Sequence, residues 1–111
     1  MTFLSRADEI LLLSILRLKD NAYGVTITKD VKERTGKKLT FGSLWVSLDI
    51  LARRGYVEKR MAEPTPNRGG RRKIYYNLTS KGIKTLLETQ DMQKSLWEGI
   101  PTLLKDSGLR K

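Results

Sequence analysis

The chain has no cysteine and no histidine among its 111 residues. Without cysteine there is no disulfide framework, no thiolate nucleophile, no thiol redox sensor and no zinc-finger ligand set. Without histidine the commonest general base, the commonest metal ligand and the usual near-neutral pH switch are missing as well. Carboxylates and lysine are what remain for catalysis. The candidates, Asp8 with Glu9 and Asp30 with Glu33, read as capping or solvated charges with no polar cluster around them. No enzyme, metal site or cofactor is expected. Long apolar runs are also missing. The most apolar stretch, 10–18, is broken by Ser14 and Arg17 and falls far short of the roughly 20 residues that span a bilayer. It starts too late for an export signal and runs into Lys19 and Asp20 rather than a small-residue cleavage site. A cytoplasmic protein with no membrane partner is the expectation.

Positive charge is what the chain has in excess. Twenty-two Lys and Arg against 12 Asp and Glu leave a formal charge of +10, which points to a polyanionic partner. Nucleic acid comes first and an anionic membrane surface second. With 39% hydrophobic and 31% charged residues, the composition is that of a soluble globular domain. A chain of this length buries roughly two-thirds of its unfolded surface, enough for one core.

The periodicity predicts a first helix over 5–19, with Ser5 as N-cap and Asp8 three residues on. Its apolar residues, from Ala7 to Leu18, surround the helix instead of forming one stripe, so it must be covered on more than one side. One small domain covers only part of it, and a second copy of the chain is the natural cover for the rest. Residues 19–24 read as a turn, with Asn21 and Gly24 as breakers. A second helix over 25–35 ends at Gly36. Thr40 caps a third, over 41–54, whose inner face is Leu44, Leu48 and Leu51. The period then changes to that of strands, at 56–61 and 73–78, joined by a Pro-, Gly- and Arg-rich loop: a hairpin with a basic tip. Thr79 caps a long last helix to about Glu98. Gly99 and Pro101 break it and leave a short amphipathic tail, with frayed residues from Ser107 on. The expected fold is mainly α with a β-hairpin wing, a winged helix-turn-helix domain (1–78) plus a C-terminal dimerisation helix (79–106) kinked near Gly99–Pro101.

Two elements carry the candidate chemistry. Opposite Leu44 on the third helix lie Gly42, Val46, Asp49 and Arg53, with Ser43 and Trp45 at the edges. Such a helix enters a major groove by its N-terminal part, where Thr40 and Ser43 bond phosphates or base edges and Val46 touches thymine methyls. The same pattern also describes an ordinary amphipathic helix with a solvated face. In the hairpin, Arg68, Arg71, Arg72 and Lys73 lie within six positions, spaced by Gly69 and Gly70, with no acidic residue among them. Arginine forks bind phosphate or enter a narrow minor groove, and glycines allow close approach. A solvated turn would carry fewer uncompensated bases. The candidate DNA-binding set is Thr40, Gly42, Ser43, Trp45, Val46, Arg68, Gly70, Arg71, Arg72 and Lys73.

Several segments together resemble one family. They are Tyr23-Gly24, Thr35-Gly36, 39–48, Arg54-Gly55-Tyr56-Val57, the 69–76 wing and Leu78-Thr79-Ser80-Lys81-Gly82. In this order and spacing the chain resembles the PadR family of bacterial transcriptional regulators, in its compact subgroup with a single final helix. The resemblance implies a homodimeric winged-helix repressor acting on pseudo-palindromic double-stranded DNA. It also implies a dimer interface formed by the first and last helices, and in some members release by an aromatic or hydrophobic effector held there. The dimer or ligand-pocket set would be Leu11, Ile15, Leu86, Trp97 and Ile100. Trp97 reads either as a core aromatic of the dimer or as a wall for a flat effector. Two departures from the family pattern stand out: Trp45-Val46 replaces its usual Tyr-Pro, and Asp49 stands where a basic residue or histidine is common.

A second function class fits the same residues, a winged-helix module whose basic face binds an acidic protein. Large preference for one operator over random DNA separates the first reading from the second.

Overall fold

A computed structural model describes residues 3–62 and 73–108. Three helices come first: α1 (Arg6–Leu18), α2 (Gly24–Thr35) and α3 (Phe41–Arg53). The strands β1 (Val57–Met61) and β2 (Ile74–Leu78) follow, and then α4 (Ser80–Trp97) and α5 (Ile100–Asp106). The mainly α fold with a β-hairpin is thus the observed one.

The helix ends lie where local chemistry puts them. The Ser5 hydroxyl accepts from the Asp8 amide, Thr40 from Ser43 and Thr79 from Gly82, each satisfying one free donor of a first turn. Gly36 caps the end of α2, and Gly99, between the Glu98 cap of α4 and the start of α5, makes the break there; both have φ of 76°, which a side chain resists. The turn after α1 departs from expectation. Lys19, with φ of 54°, makes the reversal, and a short 3-10 turn follows over Lys19–Asn21. Gly24 is already helical there, because the Thr26 hydroxyl accepts from the Tyr23 amide and starts α2 one residue early. Ser107, expected to fray, caps α5 and donates to the Leu104 carbonyl.

The core lies where α1, α2 and α3 meet the base of the hairpin. Leu12, Ile15, Ile27, Val31, Leu44, Leu48, Leu51 and Tyr76 are among its fully buried side chains. The strands pair antiparallel, with Val57 opposite Leu78 and Lys59 opposite Tyr76. Only Val57 of β1 is buried, and residues 58–61 are exposed, so the hairpin leaves the core as a wing. Its base is pinned by the Tyr76 amide, which donates to the Ala22 carbonyl at 2.9 Å. The first half of α4 packs back on α1 through Leu86 and Thr89, and the Thr89 hydroxyl accepts from the Leu4 amide. The second half projects, and the molecule is 61 Å long against a 31 Å width. No helix among the described residues is long and apolar enough to cross a membrane.

Two expectations change on packing. Leu11 and Ile15, assigned to an intersubunit seam, are 5% and 1% exposed and belong to the chain's own core. They lie on the side of α1 that its own domain covers; the open side carries Leu13 and Leu16. Glu9, assigned to solvent, is buried: it pairs with Arg6 and accepts from the Gln93 side chain at 3.0 Å. A carboxylate there is tolerated because both partners reach it.

Candidate nucleic-acid interface

The outward face of α3 is set by what its inward face buries. With Leu44, Leu48 and Leu51 in the core, a 3.6-residue period turns Gly42, Val46, Asp49 and Arg53 away from it. Val46, 60% exposed, heads this stripe. Thr40 is occupied as N-cap by the Ser43 amide, and its hydroxyl proton remains for a ligand. Ser43 lies on a shoulder instead of the centre. Together with Ser47 it lines an apolar cavity of about 150 Å³ between α1, α2 and α3, whose walls include Ile10, Val31 and Leu39. Trp45 leans to the other side, 6.4 Å from the Tyr76 ring between centroids, and a Cβ added at Gly24 would meet its indole at 3.6 Å. Its indole is thus partly structural.

The wing meets α3 through an ion pair. Lys59 of β1 donates to the Asp49 carboxylate. That bond, with the lysine's charge, holds the Asp49 carboxyl below the ordinary carboxylate range. The Tyr76 hydroxyl beneath is pushed up to about 12, by burial first and then by the Asp49 charge. Around the root of the hairpin, cations lie on aromatic faces. The Lys73 ammonium is 4.2 Å from the Tyr23 ring centre and the Arg60 guanidinium 4.7 Å from that of Tyr75. Tyr23 and Tyr75 themselves meet edge to face at 5.3 Å. Lys73 is thereby placed at the foot of the wing. Arg68, Gly70, Arg71 and Arg72 lie outside the described residues.

Thr40, Gly42, Ser43, Trp45 and Val46 therefore share one end of α3, with Lys73 on the neighbouring hairpin. The sequence reading missed Lys59, Arg60, Tyr23 and Tyr75. The run Glu58-Lys59-Arg60 signalled an exposed strand, but its partners, 10 and more residues away, left no local signature.

A second surface lies between α1 and α4. A groove of about 320 Å³ is lined by Glu9, Leu13, Leu16, Ile83, Leu86 and Leu87, among others. Leu86 forms part of its lining, while Leu13, Leu16, Ile83 and Leu87 are exposed. Beyond it, Leu96 and Trp97 are 66% and 55% exposed, and Ile100 is half-buried at the start of α5. Leu86, Trp97 and Ile100 thus follow one helical arm, apart from Leu11 and Ile15. Among the described residues no group of His, Cys, Asp or Glu is placed to hold a metal ion.

Solved structures share this fold. A PadR family transcription regulator from Clostridium difficile is 30% identical, with 89% of this chain and 95% of that one covered and a TM-score of 0.63. A PadR-like transcription factor from Bacteroides fragilis is 25% identical over 87% and 88% of the two chains, with a TM-score of 0.71. A transcriptional regulator from Clostridium thermocellum shares the fold at 23% identity and a TM-score of 0.68, over 86% and 89%. No curated protein matches the sequence. The model of the transcriptional regulator PadR-like family matches residues 12–88, from the core of α1 to the first half of α4. With helix, wing and family match in agreement, this chain is a transcription regulator and not an enzyme, and it belongs to the PadR-like family.

Proposed function

We propose that the protein is a homodimeric, sequence-specific repressor that binds a pseudo-palindromic operator at its own or a neighbouring operon in the cytoplasm. Residues 1–78 form the DNA-binding unit and 79–106 the dimerisation arm. The observation that carries the reading is the exposed end of α3, where Val46 stands clear of the core beside a basic wing. A chain of net charge +10 brings that end to DNA, and Thr40, Gly42, Ser43, Trp45 and Val46 meet the major groove. Arg68, Gly70, Arg71, Arg72 and Lys73 meet the backbone or the minor groove. The open groove between α1 and α4 supports the dimer, since Leu13, Leu16, Ile83 and Leu87 leave an apolar surface that a twofold partner removes. Trp97, on the same arm, suits either the dimer core or the wall of a site for a flat hydrophobic effector that releases DNA.

Footprinting on the upstream intergenic region tests the proposal. The wild type should protect one site against a large excess of random DNA. Val46→Glu should abolish that protection while the protein stays folded by circular dichroism. A footprint that survives Val46→Glu places α3 outside the groove. Weak, fully salt-labile binding with no preferred site favours an acidic protein as the partner.

A further inference from the structure

Asp49 is the acidic residue in α3, and it sits on the face that carries Val46. A carboxylate on a surface that approaches DNA is repelled by phosphate and accepts hydrogen bonds only. It is tolerated where a cation offsets its charge and a donor awaits it.

The cation is Lys59. It reaches Asp49 from β1, with side chains 43% and 53% exposed, so the pair is open to solvent and to a ligand. An ammonium has three donors and the bond to Asp49 uses one. The other two can reach a phosphate while the pair stays closed. Lys59 is also paired with Tyr76 in the ladder, which fixes its backbone beside the buried base of the wing.

The donor comes from the groove. Asp49 lies three residues beyond Val46 and seven beyond Gly42, within about 60° of arc on one face of α3. When Val46 faces a base edge, Asp49 faces the next part of the groove wall. The major groove offers two amino donors, cytosine N4 and adenine N6. Adenine sets its N7 acceptor beside N6, which repels the second carboxylate oxygen; guanine and thymine present acceptors. Cytosine alone fits a carboxylate without that conflict.

We infer that Asp49 is a base-reading residue that accepts from the N4 amino group of a cytosine in each half-site, with Lys59 neutralising it and anchoring the adjacent phosphate. The inference rests on the reading of α3 as the recognition helix.

Selection of bound sites from a random duplex pool tests it, with wild type, Asp49→Asn and Asp49→Ala run in parallel. The wild type should return a consensus with a fixed cytosine in each half-site. Replacing that cytosine should weaken wild-type binding roughly 5- to 150-fold. Asp49→Ala should lose the preference at that one position and bind random DNA more tightly. Asp49→Asn should shift it toward adenine, whose N6 and N7 suit a carboxamide. One unchanged consensus for all three proteins, with affinity raised uniformly in the variants, overturns the inference and leaves Asp49 a general repulsion. No consensus from any of them overturns the recognition-helix reading itself, and this inference with it.

Discussion

Gly82 lies where α4 crosses the chain at Tyr56, and its missing side chain is what allows the crossing. A Cβ built there would stand 2.2 Å from the Tyr56 carbonyl oxygen, which already accepts from the Thr79 amide at 3.0 Å. Backbone cannot yield as a flexible side-chain tip does. Gly82→Ala should therefore cost about 1–3 kcal/mol or more, the usual penalty of overpacking, measured by urea unfolding. Stability equal to wild type would mean that α4 shifts freely on the domain. Arg17 and Asp30 make a second residue-scale case. The guanidinium donates to both carboxylate oxygens, with Nε to Oδ1 at 3.2 Å, and joins α1 to α2. Arg17 is the chief cause holding the Asp30 carboxyl below its ordinary 3.8, so the folded state binds that proton less tightly than the unfolded chain. The stabilisation is present above that ordinary value and fades as pH falls through the lower folded one. Arg17→Ala should cost on the order of 1 kcal/mol at neutral pH. The gap to wild type should narrow once the pH drops below the ordinary Asp value; a constant gap would assign the loss to packing of the arginine stem.

Among the elements, the proposed function divides recognition between α3 and the wing. On that reading an α3 substitution such as Val46→Glu should act on sequence preference, whereas changes to the wing arginines, as proposed phosphate ligands, should act on all DNA alike. Arg71→Ala with Arg72→Ala should weaken operator and random DNA by similar factors. The slope of log affinity against log salt should fall by roughly 0.9 for each phosphate that is no longer neutralised. An unchanged slope, read by fluorescence anisotropy across a salt series, would take these two residues off the backbone. At the same scale, the caps of α1, α3 and α4 and the breaks at Gly36 and Gly99 were legible in the sequence. Each depends on residues within three or four positions, as the Thr40 hydroxyl and Ser43 amide illustrate. The Lys59–Asp49 pair was not legible, because it needs the wing to fold back on α3.

At the scale of the molecule, the open groove between α1 and α4 determines what assembly should look like. In a single chain Trp97 is 55% exposed, so Trp97→Ala should do little to the intramolecular core. Its effect should appear in association, lowering the thermal midpoint in a concentration-dependent way. The loss should be on the order of 3–5 kcal/mol if the partner buries the indole as fully as a core aromatic. Leu13→Glu, from the apolar wall of the groove, should give a monomer by sedimentation while Leu12 and Ile15 keep the fold. A twofold dimer would set two α3 helices roughly 34 Å apart, one turn of DNA. A wild-type chain that sediments as a folded monomer at micromolar concentration would end the dimer reading.

The amino-acid sequence alone determined the order of elements, the inner face of α3 and the basic character of the wing. These follow from short-range period, capping and composition. It also showed that α1 is apolar all round, but not which side the chain covers by itself. Leu11 and Ile15 lie inward and Leu13 and Leu16 outward because α2, β2 and α4 close over one side of α1. The same long-range packing buried Glu9 against Gln93, 84 residues away, and brought Lys59 to Asp49. Pairings of that separation depend on how whole elements dock, which no local pattern encodes. Only the tertiary structure decided them.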